Sequence, residues 1–429
     1  MFIGIDLGTT ACKVARFDEN GRITAQFHKE YGLITRDGFV EQDAGLWWQL
    51  VLEGLRAVGA PTVRGISIST QGVALVPVDA AGEPLSKAIS WLDTRAGEEA
   101  ECLENALGRA RIFAVTGKTC GGSYVLPKLM WLRQYKPEIF EKARYFLLPL
   151  AYLNLRLTGR AVTDYTVAGG TMAYDMQNKR YDPDLLAAAG VPEEKLAPVA
   201  CMGTPVGPLL SQVARETGLP ECMVYLGGQD QKLAALGAGI EEGTVTVSLG
   251  TASAVTRLTD VLPSDSTGIS AFRFDDSRLS LEGVLDTSGG ALRWLMGIIG
   301  GESYEEMNEL AREAGSAGGL VFDTDLTAGG SIQGLTLATT RGHLVYALME
   351  GVSRALGSLV QKMGGCEKIV AFGGGARSDI WCHILAQTTG KTVCVPQTEE
   401  TGVLGAARLA SGMTIPPAQI KKQYMIKEK

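Results

Sequence analysis

The chain makes the same small corner twice. "GIDLGTTACKVARF", starting at Gly4, reads as a strand, a tight glycine turn and a second strand. Far downstream "VSLGTASAVTRL", Val247 to Leu258, repeats Leu-Gly-Thr, small residues and an apolar strand. Two copies of one supersecondary unit about half a chain apart are the mark of a duplicated domain. The repeat therefore constrains the chain to two α/β lobes of similar plan, and two lobes place a ligand most readily in the cleft between them.

The rest of the pattern agrees. At 429 residues the chain exceeds one compact core and calls for two or three domains. The N-terminal part opens with an antiparallel meander turned at Asn20-Gly21. A helix over "QDAGLWWQLVLEGLRAVG" follows, with Asp43 as N-cap and Trp47, Leu50, Val51 and Leu55 on one stripe. Strands are expected at "VRGISIST" and "ALVPVDAAG", and helices over Ala96 to Ala110 and Leu126 to Lys142. From about Met223 the pattern restarts with "MVYLGG". We place the boundary near residues 220–226, giving domains over 1–222 and 223–415 and a short tail over 416–429.

Charge and cysteine usage narrow the function classes. A formal net charge of -7 argues against a nucleic-acid partner, which needs a basic face. Eight scattered cysteines without a CxxC pair, and only three histidines, fit a reducing cytosol and disfavour a zinc site. No apolar run approaches the ~18 residues of a membrane span, and strand-like sequence begins at Phe2. The expectation is a soluble cytoplasmic protein with no membrane partner.

In a Gly-Thr-Thr corner successive N–H groups and hydroxyls face one side, a nest suited to phosphate. Thr9 and Thr10 supply the hydroxyls, Lys13 can reach the same phosphates, and Asp6 just before the corner can hold Mg²⁺ or simply cap the turn. The second corner offers Gly250 and Thr251, with Ser248 where Asp6 stood and Val255 where Lys13 stood. One lobe thus brings metal and lysine and the other only backbone and hydroxyl, so that two hairpins grip one polyphosphate from opposite sides. Glycine pairs and triplets at 227–228, 289–290, 329–330 and 373–375 are further loops that could approach a ligand, or ordinary turns.

With these residues in view, the chain resembles the FGGY carbohydrate kinases of the actin-like ATPase superfamily over nearly its whole length. "DGFVEQDAGLWW", "SWLDTR", "LGGQDQ", "DTSGGALRWL", "GGGARSDIWCHILAQTTGKTV" and "GVLGAARLA" carry the resemblance in order. It implies two ribonuclease H-like domains related by duplication, with the active site in the interdomain cleft, and ATP and Mg²⁺ as cofactors. Asp230 would be the general base, Asp6 the metal ligand, and Thr9, Thr10, Lys13, Gly250 and Thr251 the phosphate contacts. Gly289, Gly374, Gly375 and Asp379 would border the adenosine, while Gln71, Trp91, Asp93, Arg95, Asp230 and Gln231 would face a small sugar or polyol.

Read locally, Asp230 is equally a helix N-cap, Trp91 a core residue, and Asp93–Arg95 a structural ion pair. The sequence departs from the resemblance at Gly72-Val73, where xylulokinases carry Met-His and glycerol kinases Arg-Glu, and in a shortened segment between Trp294 and Gly334. The implied reaction is ATP-dependent phosphorylation of a ketopentose such as xylulose, in a monomer or homodimer. Other polyol or sugar-acid kinases, of the glycerol, erythritol, gluconate, fuculose or rhamnulose class, are the alternative. A silent sugar sensor or an actin/Hsp70-like ATPase fits the retained Asp6, Lys13 and Asp230 less well.

Overall fold

The computed structural model describes residues 1–263, 268–326 and 329–425. Two sheets organise it. The first is built from β1 (Phe2–Leu7), β2 (Ala11–Phe17), β3 (Ile23–Glu30), β4 (Gly65–Thr70), β5 (Pro205–Pro208) and β6 (Met223–Gln229), in the order β5-β6-β4-β1-β2-β3. The second holds β7 (Thr244–Leu249), β8 (Ser253–Thr259), β9 (Ile269–Arg273), β10 (Leu279–Leu285), β11 (Lys368–Phe372), β12 (Thr392–Pro396) and β13 (Ile420–Tyr424), in the order β9-β10-β8-β7-β11-β12-β13. Each sheet has an antiparallel meander, β1-β2-β3 or β7-β8-β10, running into parallel strands, β4-β6 or β11-β12. The duplication expected from the corners is thus visible strand by strand.

Two domain limits differ from those expected from the sequence. Met223–Gln229 does not open a new lobe: β6 runs parallel to β4 inside the first sheet, and the second sheet begins at Thr244. The strand-then-helix pattern at 223 is the last unit of the first lobe, which local periodicity cannot tell from the first unit of the next. The tail is also part of the fold, because β13 pairs antiparallel with β12; residues 426–429 lie outside the described residues.

Local rules account for most elements. Helix α1 (Ala44–Val58) starts at Asp43, whose side chain accepts from the N–H groups of Gly45 and Leu46, and its stripe of Trp47, Leu50, Val51 and Leu55 is buried on the first sheet. The helices expected over 96–110 and 126–142 each break. Gly108 (φ +83°) interrupts the first, and Lys136 before Pro137 the second, because the residue preceding proline is driven out of the α region. In the second lobe α5 (Arg341–Lys362) buries Leu348, Val352 and Leu356 against Val247, Ile369 and Ala371. It follows α3 (Gly289–Ile298) and α4 (Tyr304–Ala314) in the chain.

The centre of the molecule is a helix pair, α2 (Asp230–Ala238) and α7 (Thr401–Ala410), with α6 (Asp379–Thr389) preceding α7. Helix α2 leaves the first sheet, yet Ala234 and Ala238 pack on Val370, Phe372 and Cys394 of the second. Helix α7 leaves the second sheet, yet Val403, Leu404, Ala407 and Ala410 pack on Phe2, Ala15 and Phe17 of the first. The lobes exchange helices. Where α2 and α7 cross, a Cβ on Gly405 would lie 1.9 Å from the Leu233 carbonyl oxygen, and one on Gly237 would lie 2.0 Å from that of Thr401. Backbone contact this close admits only glycine. Among the described residues, no helix is long and apolar enough to cross a membrane.

Candidate active site

The N-termini of α2 and α7 and the ends of β1, β4, β6, β7 and β11 meet at one cleft. Strand ends at the carboxyl edge of a sheet, with helix N-termini beside them, are the usual ligand position in α/β folds. Asp230 is the first residue of α2 and Glu400 the N-cap of α7.

The first corner is held from three sides. Gly8 N–H closes the turn on the Ala11 carbonyl at 2.9 Å, and the Tyr31 hydroxyl donates to the Gly8 carbonyl. The Gln42 amide donates to the Thr9 carbonyl at 2.8 Å, and the Trp91 indole N–H donates to Thr9 Oγ1 at 2.9 Å. Trp91, 43% exposed, therefore stands at the phosphate corner rather than in a core. Asp6 and Lys13 face each other across β1 and β2. Ser69 Oγ donates to Asp6 Oδ1 at 2.6 Å, but burial wins and pushes the Asp6 carboxyl above its ordinary range.

The second corner is one residue shorter. Six residues separate Asp6 from Lys13, its cross-strand partner; five separate Ser248 from Ala254, the partner it has instead. Val255, expected at the lysine position, lies buried opposite Val247. The Gly250 and Thr251 carbonyls accept from Gly289 N–H and Gly290 N–H, both at 2.9 Å, which fixes the corner to the start of α3. Beside it is a cavity of about 400 Å³ lined by Gly250, Thr251, Gly289, Gly374 and Gly375, together with Arg293, Tyr304, Asn308, Ser378 and Trp381, which the motifs did not single out. Its volume and mixed polar and apolar lining suit a nucleoside. Asp379 does not line it. Its Oδ1 accepts from Lys422 Nζ at 2.6 Å and from the Tyr424 hydroxyl, so it fastens β13 to α6.

Asp230 sits at the meeting of the lobes. Its Oδ1 accepts from Gln231 N–H at 2.7 Å. Burial and the charge of Asp6 push Asp230 up to about 7, against the opposing pull of that hydrogen bond and of Lys232. A carboxylate tuned to this range accepts a proton at neutral pH and is what a general base requires. The strand end before it is set by a group the sequence did not flag. Asp164 accepts from Thr166 Oγ1 at 2.7 Å, and Thr166 Oγ1 in turn accepts from Gln229 N–H at 2.9 Å. Burial pushes Asp164 up to about 6.

The residues expected around the sugar divide. Gln71 is 1% exposed and both polar atoms of its amide are unpartnered, as is Gln229 Oε1 on the neighbouring strand. Buried amides without partners are costly, so they fit a polar ligand arriving beside them. Asp93 and Arg95 turn inward instead. Arg95 donates to both Asp93 oxygens (2.8 and 2.7 Å) and to Glu41 at 2.9 Å, Val40 N–H donates to Asp93 Oδ2 at 2.6 Å, and the guanidinium lies 3.9 Å from the Phe39 ring centroid. Fully engaged at 0% and 4% side-chain exposure, they pin the hairpin of strands Ile34–Arg36 and Phe39–Gln42.

The sequence profile of the "FGGY family of carbohydrate kinases, N-terminal domain" matches residues 1–237, and that of the family's C-terminal domain matches 246–413. The chain belongs to the FGGY family of carbohydrate kinases. As a member of this family it is an ATP-dependent sugar kinase with the actin-like ATPase fold. A xylulose kinase of Bacillus subtilis (strain 168) is 31% identical over 436 residues, spanning 95% of this chain and 87% of its own. Among solved structures, a ligand-bound xylulose kinase from Lactobacillus acidophilus superposes with a TM-score of 0.92 at 25% identity, covering 99% of this chain and 94% of that one. A gluconate kinase from the same organism gives 0.90 at 25% identity over 99% and 93%. For an FGGY kinase, phosphoryl transfer is chiefly positioning and charge neutralisation. Glu400 is the charged cleft residue that no motif pointed to: both its oxygens accept from Lys13 Nζ, at 3.0 and 2.9 Å.

Proposed function

We propose that this kinase phosphorylates a neutral ketopentose of the xylulose type, with Asp230 as general base. The observation that carries the reading is Asp230 itself. It stands at the cleft end of α2, where burial and the neighbouring Asp6 keep it ready to take a proton near pH 7. It removes the proton from the acceptor hydroxyl as that oxygen attacks the γ-phosphorus of ATP; ADP leaves, and the phosphate ends on the sugar. Asp6 would hold Mg²⁺, whose charge offsets that of the phosphates, with Thr9, Thr10 and Lys13 on one side and Gly250 and Thr251 on the other. The donor set fits a hard cation, since a carboxylate lies beside hydroxyls and backbone.

A neutral sugar is favoured over a sugar acid because, among the described residues, the nearby cations are committed. Arg95 is spent on Asp93 and Glu41. Lys232 donates to Glu282, and Lys118 donates to the Thr116 and Ala271 carbonyls at 3.1 and 2.7 Å. What remains beside Asp230 is the amide pair Gln71 and Gln229, which bonds hydroxyl and keto oxygens without a charge. ADP release measured against xylulose, ribulose, glycerol, erythritol and gluconate tests this. The highest kcat/KM should fall on xylulose and the lowest on gluconate; a preference for gluconate refutes the neutral pocket.

A further inference from the structure

Lys13 already has an anion. Its ammonium sits 3.0 and 2.9 Å from the two Glu400 oxygens, and each side chain is 33% exposed. The choice of partner is informative. Asp6 lies directly across from Lys13 in the β1–β2 register, yet it takes Ser69 Oγ and leaves the lysine to Glu400. Glu399, the next carboxylate along the chain, is occupied by Arg377. Glu400 is the N-cap of α7, yet its side chain caps no N–H group of that helix. The first turn of α7 also presses on Asp6, since a Cβ on Gly402 would lie 3.1 Å from Asp6 Oδ2. The Glu400 carboxylate is thus a further acidic group at a cleft whose ligand is itself a polyanion.

We propose that Glu400 is a positioning residue for the phosphate site, a stand-in anion that holds the Lys13 ammonium in the cleft and yields it to a phosphate oxygen when nucleotide arrives. The inference rests on the reading that Lys13 meets the nucleotide phosphates. Without a partner, a long flexible lysine on an open cleft samples many rotamers and approaches Asp6, the carboxylate meant for the cation. With Glu400 it is held to one side. The exchange replaces one charge-assisted contact by another, so nucleotide must overcome an ion pair of modest strength, which exposure and salt keep small.

The test is calorimetric titration with ADP, with and without Mg²⁺, on the full chain and on Glu400→Gln, Glu400→Asp, Lys13→Met and the Lys13→Met/Glu400→Gln double variant. Lys13→Met should weaken ADP binding, and if it does not, the reading of Lys13 itself fails. Glu400→Gln should tighten metal-free ADP binding by about threefold, the scale of a partly exposed pair. Glu400→Asp, which keeps the charge, should stay near the parent value and shows that any gain does not come from a loosened helix. In the Lys13→Met background, Glu400→Gln should change nothing further. Weaker or unchanged binding in Glu400→Gln overturns the proposal, as does a gain that persists undiminished without Lys13. A loss confined to ADP with Mg²⁺ makes Glu400 a cation ligand instead and equally overturns it.

Discussion

Replacing Asp230 by asparagine should make the protein more stable while it stops catalysis. Both effects come from one proton. An ordinary aspartate titrates at roughly 3.9; burial and Asp6 hold Asp230 at about 7. The folded state therefore favours the protonated form relative to the unfolded chain. Below about pH 4 both states carry the proton and nothing is lost. As pH rises from about 4 to about 7 the unfolded chain gains by ionising first, and above about 7 the penalty on folding is complete. At about 1.36 kcal/mol per pH unit the full shift amounts to about 4 kcal/mol. Asp230 retains partial contact with solvent, which screens its charge, so about 1–2 kcal/mol is the expected gain at pH 8. Asparagine keeps the oxygen that accepts from Gln231 N–H and cannot ionise. Thermal unfolding of nucleotide-free protein at pH 8 should show the midpoint raised by roughly 2 °C or more, with the gain shrinking towards pH 5. The same variant should lose about 10²-fold or more in kcat and keep its affinity for ADP. An asparagine variant no more stable than the parent at pH 8, or a gain equal at pH 5 and pH 8, refutes the electrostatic account.

Asp6→Ala should abolish most Mg²⁺-dependent turnover, whereas Ser248→Ala, at the matching place in the second lobe, should keep activity within a few-fold; equal losses in kcat would mean the corners are not specialised. Gly405→Ala should cost about 1–3 kcal/mol or more, because its methyl would meet the Leu233 carbonyl at 1.9 Å. Gly297→Ala, inside α3 with nothing within 4 Å, should be neutral or gain up to ~1 kcal/mol in the same denaturation series. Sugar together with a non-hydrolysable ATP analogue should reduce the radius of gyration in small-angle scattering, since each lobe carries half of the phosphate site; an unchanged radius would favour a preassembled cleft.

The corners, the duplicated plan and the placement of Asp6, Thr9, Lys13 and Asp230 were legible because each depends on short-range pattern: glycine turns, a strand end, a helix start. What could not be read depended on long-range choices. The strand at Met223–Gln229 belongs to the first sheet because β4 is its neighbour, with Met223 paired to Gly65 from far earlier in the chain. Asp93 and Arg95 looked available to a sugar, but Glu41 and the Val40 N–H claim them from another hairpin. Asp379 was drawn off by Lys422 and Tyr424. Val255 shifted to the core because the second corner is shorter by one residue. Glu400 follows the same logic, as its partner Lys13 lies at the opposite end of the chain. Partner choice among charged groups is settled by the fold, and a linear pattern carries no record of it.

The exchange of α2 and α7 bears on what counts as half of this protein. A break in the short link between α2 and β7, at residues 240–243, looks like a clean division between repeats. It would leave the first fragment without the helix that covers Phe2, Ala15 and Phe17, and the second without the one that covers Val370, Phe372 and Cys394. Each fragment would carry a bare apolar sheet face and, on its own, a tendency to aggregate. Made together, the two would cover each other and rebuild Asp230 and Lys13 from one fragment and Thr251 from the other at a single cleft. Sugar phosphorylation would then return only on co-expression, so a kinase built this way is suited to serve as a split enzyme reporting the encounter of whatever is fused to its pieces.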